Sequence, residues 1–164
     1  DAWKMMLQTA FPSWLYPVTQ GATTIWEHWD GMKDDGSMWS ADMNSFNHYA
    51  YGAIGEWMYR AMAGIEADPE HPGFKHAILY PRIGGNLKYT AGKYHSIYGD
   101  VGVKWEVQGK QITLTVQIPV NTTAEIRLDK AKAVLESDGL TFTREADYMA
   151  AEAGSGTYHI AFEQ

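Results

Sequence analysis

Apolar residues in the first part of the chain recur at spacings of three and four. Ala50, Ile54, Trp57, Ala61 and Ile65 fall on one helical face, and Met58 and Met62 widen the stripe. This predicts a helix starting near Asn47 or His48, with Ser45 or Asn47 as its cap. Ala2 to Thr9 predicts the end of an earlier helix. Pro12 and Pro17 then interrupt, which predicts an extended or turned passage through Ser13-Trp14-Leu15-Tyr16. The small and polar residues from Asp34 to Asp42 predict a loop.

Beyond Asp68-Pro69-Glu70-His71-Pro72-Gly73, the strongest breaker in the chain, the period changes to two. Val101, Val103, Trp105 and Val107 alternate with polar residues, as do Ile112, Leu114, Val116 and Ile118 after Gln108-Gly109-Lys110. That pattern predicts a hairpin with a tight turn. Ala124, Ile126 and Leu128 continue it, and short strands fit Ala77 to Tyr80, Leu87 to Ala91, Val134 to Glu136 and Thr157 to Phe162. The expectation is an α+β chain in two segments, helical over 1–68 and a small antiparallel β-sandwich over 73–164. Residues 1–68 hold one long helical pattern and too little apolar surface for a core of their own. They read as the remainder of a larger helical domain.

Composition changes this picture in a few places. The 164 residues are 45% hydrophobic and 20% charged, the balance of a folded protein. Net charge is -7, and the 13 Lys and Arg form no dense basic block, so nucleic acid is not expected as a partner. No apolar run approaches the roughly 20 residues that a membrane-spanning helix needs. Asp1-Ala2-Trp3-Lys4 is neither an initiator Met nor a signal-peptide start, so the chain reads as a cut piece and its compartment stays open. Cysteine is absent, which removes disulfides, thiolate metal sites and a Cys nucleophile from this stretch. Asn121-Thr122-Thr123 matches a glycosylation triplet but reads as a plain turn.

Aromatic content directs the search for chemistry. The 7 Trp, 10 Tyr and 5 Phe make 13% of the chain, and five of the Trp lie between Trp14 and Trp57. Such rings suit either a core or a sugar platform. The densest constellation is Gly21-Ala22-Thr23-Thr24-Ile25-Trp26-Glu27-His28-Trp29-Asp30-Gly31. Glu27 lies between two tryptophans, where burial and neighbours can adjust a carboxyl group for general acid or base work. Taken alone it also fits a surface carboxylate that pairs or caps a turn. In Asn44-Ser45-Phe46-Asn47-His48-Tyr49-Ala50-Tyr51-Gly52, amide and imidazole groups offer directional bonds to sugar hydroxyls, or else satisfy helix-end backbone groups. His71 and His76 read as loop and strand-edge residues, and His95 and His159 show no partner pattern. Asp30, Asp34 and Asp35 read as a solvated loop, no metal-ligand spacing stands out, and no nucleophile elbow is present.

These two clusters together resemble the last catalytic-domain motifs of the bacterial α-L-rhamnosidases, glycoside hydrolase family 78. The likeness continues in order through Gly73-Phe74-Lys75-His76, Pro81-Arg82, Ser96-Ile97-Tyr98-Gly99, Pro119-Val120-Asn121-Thr122-Thr123-Ala124 and Gly154-Ser155-Gly156-Thr157-Tyr158. The resemblance implies the closing helices of an (α/α)6 barrel over residues 1–68, followed by the family's C-terminal β-sandwich. It implies an inverting glycosidase acting on terminal α-L-rhamnosyl residues, with Glu27 as general base. His48 would bind the sugar ring together with Asn47, and Trp26 and Trp29 would shape the pocket. His28 departs from the residue that many relatives carry. The family's general acid belongs to an acidic motif upstream, so this stretch alone is expected to be inactive. No cofactor or metal is implied, and the expected partners are rhamnose-containing glycans and the remainder of the parent catalytic domain. The competing reading is a non-catalytic module, either carbohydrate-binding or purely structural. Trp105, in phase with core positions, favours the structural form for the β segment.

Overall fold

The computed structural model describes residues 2–164, which divide into two compact units meeting between Gly55 and Glu56. The breaker Asp68–Gly73 therefore lies inside the second unit, where it forms the turn between its first two strands.

The first unit is short helices and turns. Helix α1 spans Ala2–Leu7 and α2 spans Leu15–Thr19. The extended or turned passage expected before Pro17 bends through Ser13-Trp14 and is helical from Leu15. Pro17 falls in the first turn, where its missing N–H would have had no helical partner anyway. The buried Ser13 hydroxyl accepts the Tyr16 N–H at 3.0 Å and closes that turn.

The aromatic-rich helix also starts later than its periodicity predicts, and it is shorter. It runs as a 3-10 turn over Ala50–Ala53, helix α3 over Ile54–Trp57 and a π-helical turn over Met58–Ala63. Residues 45–48 are not free to join it. The Ser45 carbonyl accepts from the Glu27 N–H at 2.9 Å, and the His48 N–H donates to the Ile25 carbonyl at 2.8 Å. Neither Ser45 nor Asn47 caps the helix; the capping position is Tyr49 and has no side-chain bond. Gly64 ends the run at φ +75°, and Ile65, expected on the helical stripe, opens a strand.

The second unit is built on two five-stranded sheets. Strands β1 Ile65–Ala67, β2 His76–Leu79, β6 Thr123–Asp129, β9 Tyr148–Ala153 and β8 Thr143–Arg144 lie in that order in one. Strands β3 Tyr89–Ser96, β4 Gly99–Gln108, β5 Gln111–Ile118, β10 Gly156–Glu163 and β7 Ala133–Glu136 form the other. All pairings are antiparallel except β2 with β6. That parallel pair departs from the all-antiparallel expectation. It is possible because β3, β4 and β5 cross to the other sheet between its members.

Alternating side chains of both sheets enter one core. Leu79, Ala124, Ile126 and Leu128 from the first share it with Val101, Val103, Trp105, Leu114, Val116, Ile160 and Phe162 from the second. This is the arrangement that an antiparallel β-sandwich would give. Burying each such aliphatic or aromatic side chain contributes about 1.5–3 kcal/mol. Trp105 is wholly buried, and its indole N–H donates to the Met62 carbonyl at 2.8 Å, tying the π-helical turn to the sheets. The β4–β5 hairpin turns on Gly109-Lys110, with Gly109 at φ +65° as its first loop residue.

Candidate active site

The chain segments around Glu27 and His48 are brought together by their backbones. Besides the Glu27–Ser45 and His48–Ile25 bonds, the Thr24 hydroxyl donates to the Phe46 carbonyl. These contacts set residues 24–27 beside residues 45–48, so the two clusters singled out in the sequence form one local structure.

Glu27 is half-buried, and its Oε2 accepts the Ser45 N–H at 3.1 Å. The carboxylate is thus held at two levels, by its own N–H on the Ser45 carbonyl and by its side chain on the Ser45 amide. A half-buried carboxylate with one oxygen held by an amide keeps a defined direction while its charge stays partly solvated. Such a group can accept a proton from a water placed against it.

The indoles on either side of Glu27 have different surroundings. Trp26 is 6% exposed and lies edge-on to Phe46, with ring centroids 4.9 Å apart, so it builds the core of this unit. A Cβ on Gly31 would come within 3.2 Å of the Trp26 ring, so the turn after Glu27 packs directly on that indole. Trp29 stacks on Tyr51 at 4.7 Å and 22° and meets Trp14 edge-on at 5.0 Å. The Trp14 N–H donates to the Tyr51 carbonyl at 3.0 Å, which closes this aromatic cluster. The Trp29 indole N–H is buried with no hydrogen-bond partner among the described residues.

His48 is half-buried; its Nδ1 accepts the Ala50 N–H at 3.4 Å, and its ring lies nearly parallel to that of Tyr49. That bond fixes Nδ1 as the acceptor and leaves Nε2 to carry the proton of the neutral ring. Asn47 is exposed, and its N–H donates to the Ser45 hydroxyl at 3.2 Å. His28 stacks on Trp39 at 3.8 Å and 18°. Asn44 had no assigned part in the sequence reading. Its Nδ2 donates to the Gly31 carbonyl at 2.8 Å and clasps the turn after Glu27 to the segment carrying Ser45. The Ser45 amide was not foreseeable either, because any residue supplies a backbone donor.

Among the described residues no group of three or more His, Asp or Glu side chains is placed to hold a metal ion. Asp35 instead accepts from the backbone and hydroxyl of Ser37, which accounts for part of the acidic loop. No helix among the described residues is long and apolar enough to cross a membrane.

Comparison with known proteins places the two segments separately. Residues 1–62 match the family model of the bacterial α-L-rhamnosidase six-hairpin glycosidase domain, and residues 64–142 match that of the bacterial α-L-rhamnosidase C-terminal domain. An α-L-rhamnosidase of Streptomyces avermitilis is 41% identical over 97% of this chain, and one of Formosa agariphila is 39% identical over 86%. The crystal structure of the Streptomyces avermitilis α-L-rhamnosidase complexed with L-rhamnose superposes with a TM-score of 0.88 over 97% of this chain, at 38% identity. The chain spans 15% of the length of each of the two curated relatives and 16% of that crystallised chain. With the matched models following one another in the same order as the helical and β segments, the chain belongs to the bacterial α-L-rhamnosidases.

Proposed function

We propose that this chain is the C-terminal part of an inverting α-L-rhamnosidase, a glycosidase that removes terminal α-L-rhamnosyl residues, with Glu27 as its general base. Residues up to about 62 would close the (α/α)6 barrel, and residues from 64 onward, with strand β1, would form the attached β-sandwich. The observation that carries this reading is the pairing of residues 24–27 with 45–48. It puts the half-buried Glu27 carboxylate, held on the Ser45 amide, in the same local structure as His48 and Asn47.

In an inverting reaction one carboxylic acid protonates the leaving oxygen while a carboxylate on the opposite face of the ring removes a proton from the attacking water. The two carboxyl groups stand about 6.5–9.5 Å apart. Glu27 takes the second role. The Ser45 amide steadies Oε2 so that the carboxylate does not rotate away from the water. His48 and Asn47 supply directional bonds to the ring hydroxyls. Trp29, stacked on Tyr51 and Trp14, shapes one wall, and the buried Trp26 holds the Glu27 segment from behind. The acid partner belongs to the parent protein outside this chain, in keeping with relatives of which the chain spans 15%. Within the β unit, the Trp105 bond to the Met62 carbonyl holds the π-helical turn on the sheets.

The deciding experiment replaces Glu27 by Gln in the intact parent enzyme and measures turnover of an aryl α-L-rhamnoside. Loss of a positioned general base is expected to lower turnover by about 10²–10⁴-fold, with the circular dichroism spectrum unchanged. Turnover close to that of the unaltered enzyme would remove Glu27 from the mechanism.

A further inference from the structure

The edge of the β unit carries a cleft that the proposed reaction does not use. It measures about 510 Å³ and is lined by Tyr59 and Arg60 of the π-helical turn, Glu56, Ile65 and Glu66, and the rings of Phe74 and Tyr94. This volume is in the range of roughly 300–1,000 Å³ that small-ligand pockets occupy. A second cavity of about 240 Å³, lined among others by Met58, Met62 and Thr90, shares Tyr59 with the first.

Its position follows from two features of the fold. Strands β1 and β3 are the edge strands of their sheets, and the π-helical turn lies against β3. The close approach depends on Gly92, where a Cβ would stand 2.5 Å from the Ala63 Cβ. Cleft and helix are thus held together by the absence of one side chain.

The lining combines three aromatic rings, three charged side chains and two aliphatic ones. Tyr59 is 46% exposed and Tyr94 42% exposed, so both rings are open to a ligand. Phe74 packs against Tyr94 with centroids 4.4 Å apart, and it does so from a left-handed backbone at φ +66°. A bulky residue seldom adopts that conformation, and strain of this kind concentrates at ligand sites. In the same lining, Arg60 is bridged between two carboxylates, Glu56 at 3.0 Å and Glu66. The bridge sets guanidinium donors and carboxylate acceptors side by side.

We propose that this cleft is a second carbohydrate-binding site, separate from the Glu27 region, that takes a short stretch of a pyranose glycan. A pyranose ring has a face of C–H groups, which stacks on aromatic rings, and a rim of neighbouring hydroxyls, each of which both donates and accepts. Tyr94 and Phe74 offer the stacking face. Arg60 with Glu56 and Glu66 offers the paired donors and acceptors, and the second cavity, which shares Tyr59, would take a further ring. A phosphate would meet two carboxylates at the arginine. The inference stands independently of the role of Glu27.

The test uses the intact parent enzyme carrying Glu27→Gln, so that ligand is not consumed, and an oligomer of α-linked L-rhamnose as the probe. Calorimetric titration is expected to show two sites per chain. Adding Tyr94→Ala, or separately Arg60→Ala, is expected to weaken one site at least tenfold and leave the other unchanged. In the enzyme with Glu27 intact, Tyr94→Ala is expected to leave hydrolysis of an aryl α-L-rhamnoside within about twofold, as for a surface change away from the reacting groups. A single site that neither substitution alters overturns the proposal, including the case in which another part of the parent fills the cleft. Failure of the Glu27 assignment would show as turnover of the aryl substrate by Glu27→Gln; the titration is then run with a non-hydrolysable thio-linked L-rhamnose oligomer, and the effects of Tyr94→Ala and Arg60→Ala are read in the same way.

Discussion

Asp129 shows what a single buried charge does in the β unit. It is 5% exposed, lies 3.7 Å from Arg82 and 3.9 Å from Lys130, accepts from the Tyr80 hydroxyl at 3.5 Å, and faces Asp147 and the Gln164 amide. Burial pushes its carboxyl up from the ordinary range, and Lys130 and Arg82 only partly oppose this. A carboxyl raised in the folded state contributes stability that is present below the unfolded value and is lost as pH rises through the folded one. Asp129→Asn removes that dependence. Its melting temperature relative to the unaltered protein should therefore become more favourable between about pH 3 and about pH 7. Thermal melts at both ends check this, and a difference that is flat or reversed counts against it. Nothing in the sequence marks Asp129 as buried, because its alternation partner Leu128 is also core. His95 is a related case: it has no partner in the linear pattern, yet the β3–β4 register sets it opposite Asp100, with Nδ1 2.7 Å from that carboxylate. Glu27 and His48 were visible as residue types in a motif. The amide of Ser45 that holds Glu27 has no residue-type signature at all.

Among elements, strands with strict alternation were legible and strands without it were not. β4 and β5 match their sequence pattern nearly residue for residue, since a strand with one face in the core must keep period two. β9, written Tyr-Met-Ala-Ala-Glu-Ala, has the composition of a helix and becomes a strand because β6 offers it a ladder. β1 was absorbed into the helical stripe through Ile65, whose burial suits either element. The junction between them depends on Gly64. It takes φ +75°, and a Cβ there would stand 2.0 Å from the Pro81 nitrogen. The atoms it would meet, in Tyr80 and Pro81, are all backbone, so Gly64→Ala cannot be relieved by a rotamer change. It should destabilise the folded chain by about 3 kcal/mol or more. Chemical denaturation of the parent would measure this, and a loss below about 1 kcal/mol would show that the junction can rearrange.

For the whole molecule, the two units carry different kinds of information. The β unit has its own core spanning two sheets, whereas the unit ending at Gly55 is short helices and turns around a few aromatic clusters. On the proposed reading, catalysis needs a second carboxyl group from the parent. The 164-residue chain by itself should therefore release no measurable product from an aryl α-L-rhamnoside under conditions in which the parent turns over. Activity in the purified chain would mean that the acid lies within these residues. The sequence by itself determined that period-two strands follow the helical periodicity, the main hairpin and the identity of the family, because periodicity and ordered motifs are properties of neighbours along the chain. Only the tertiary structure decided where the aromatic helix begins, which alanines become strand, and how Glu27 is held. Each of these depends on backbone groups whose partners lie many residues away, and a hydrogen bond between main-chain atoms leaves no mark on residue type.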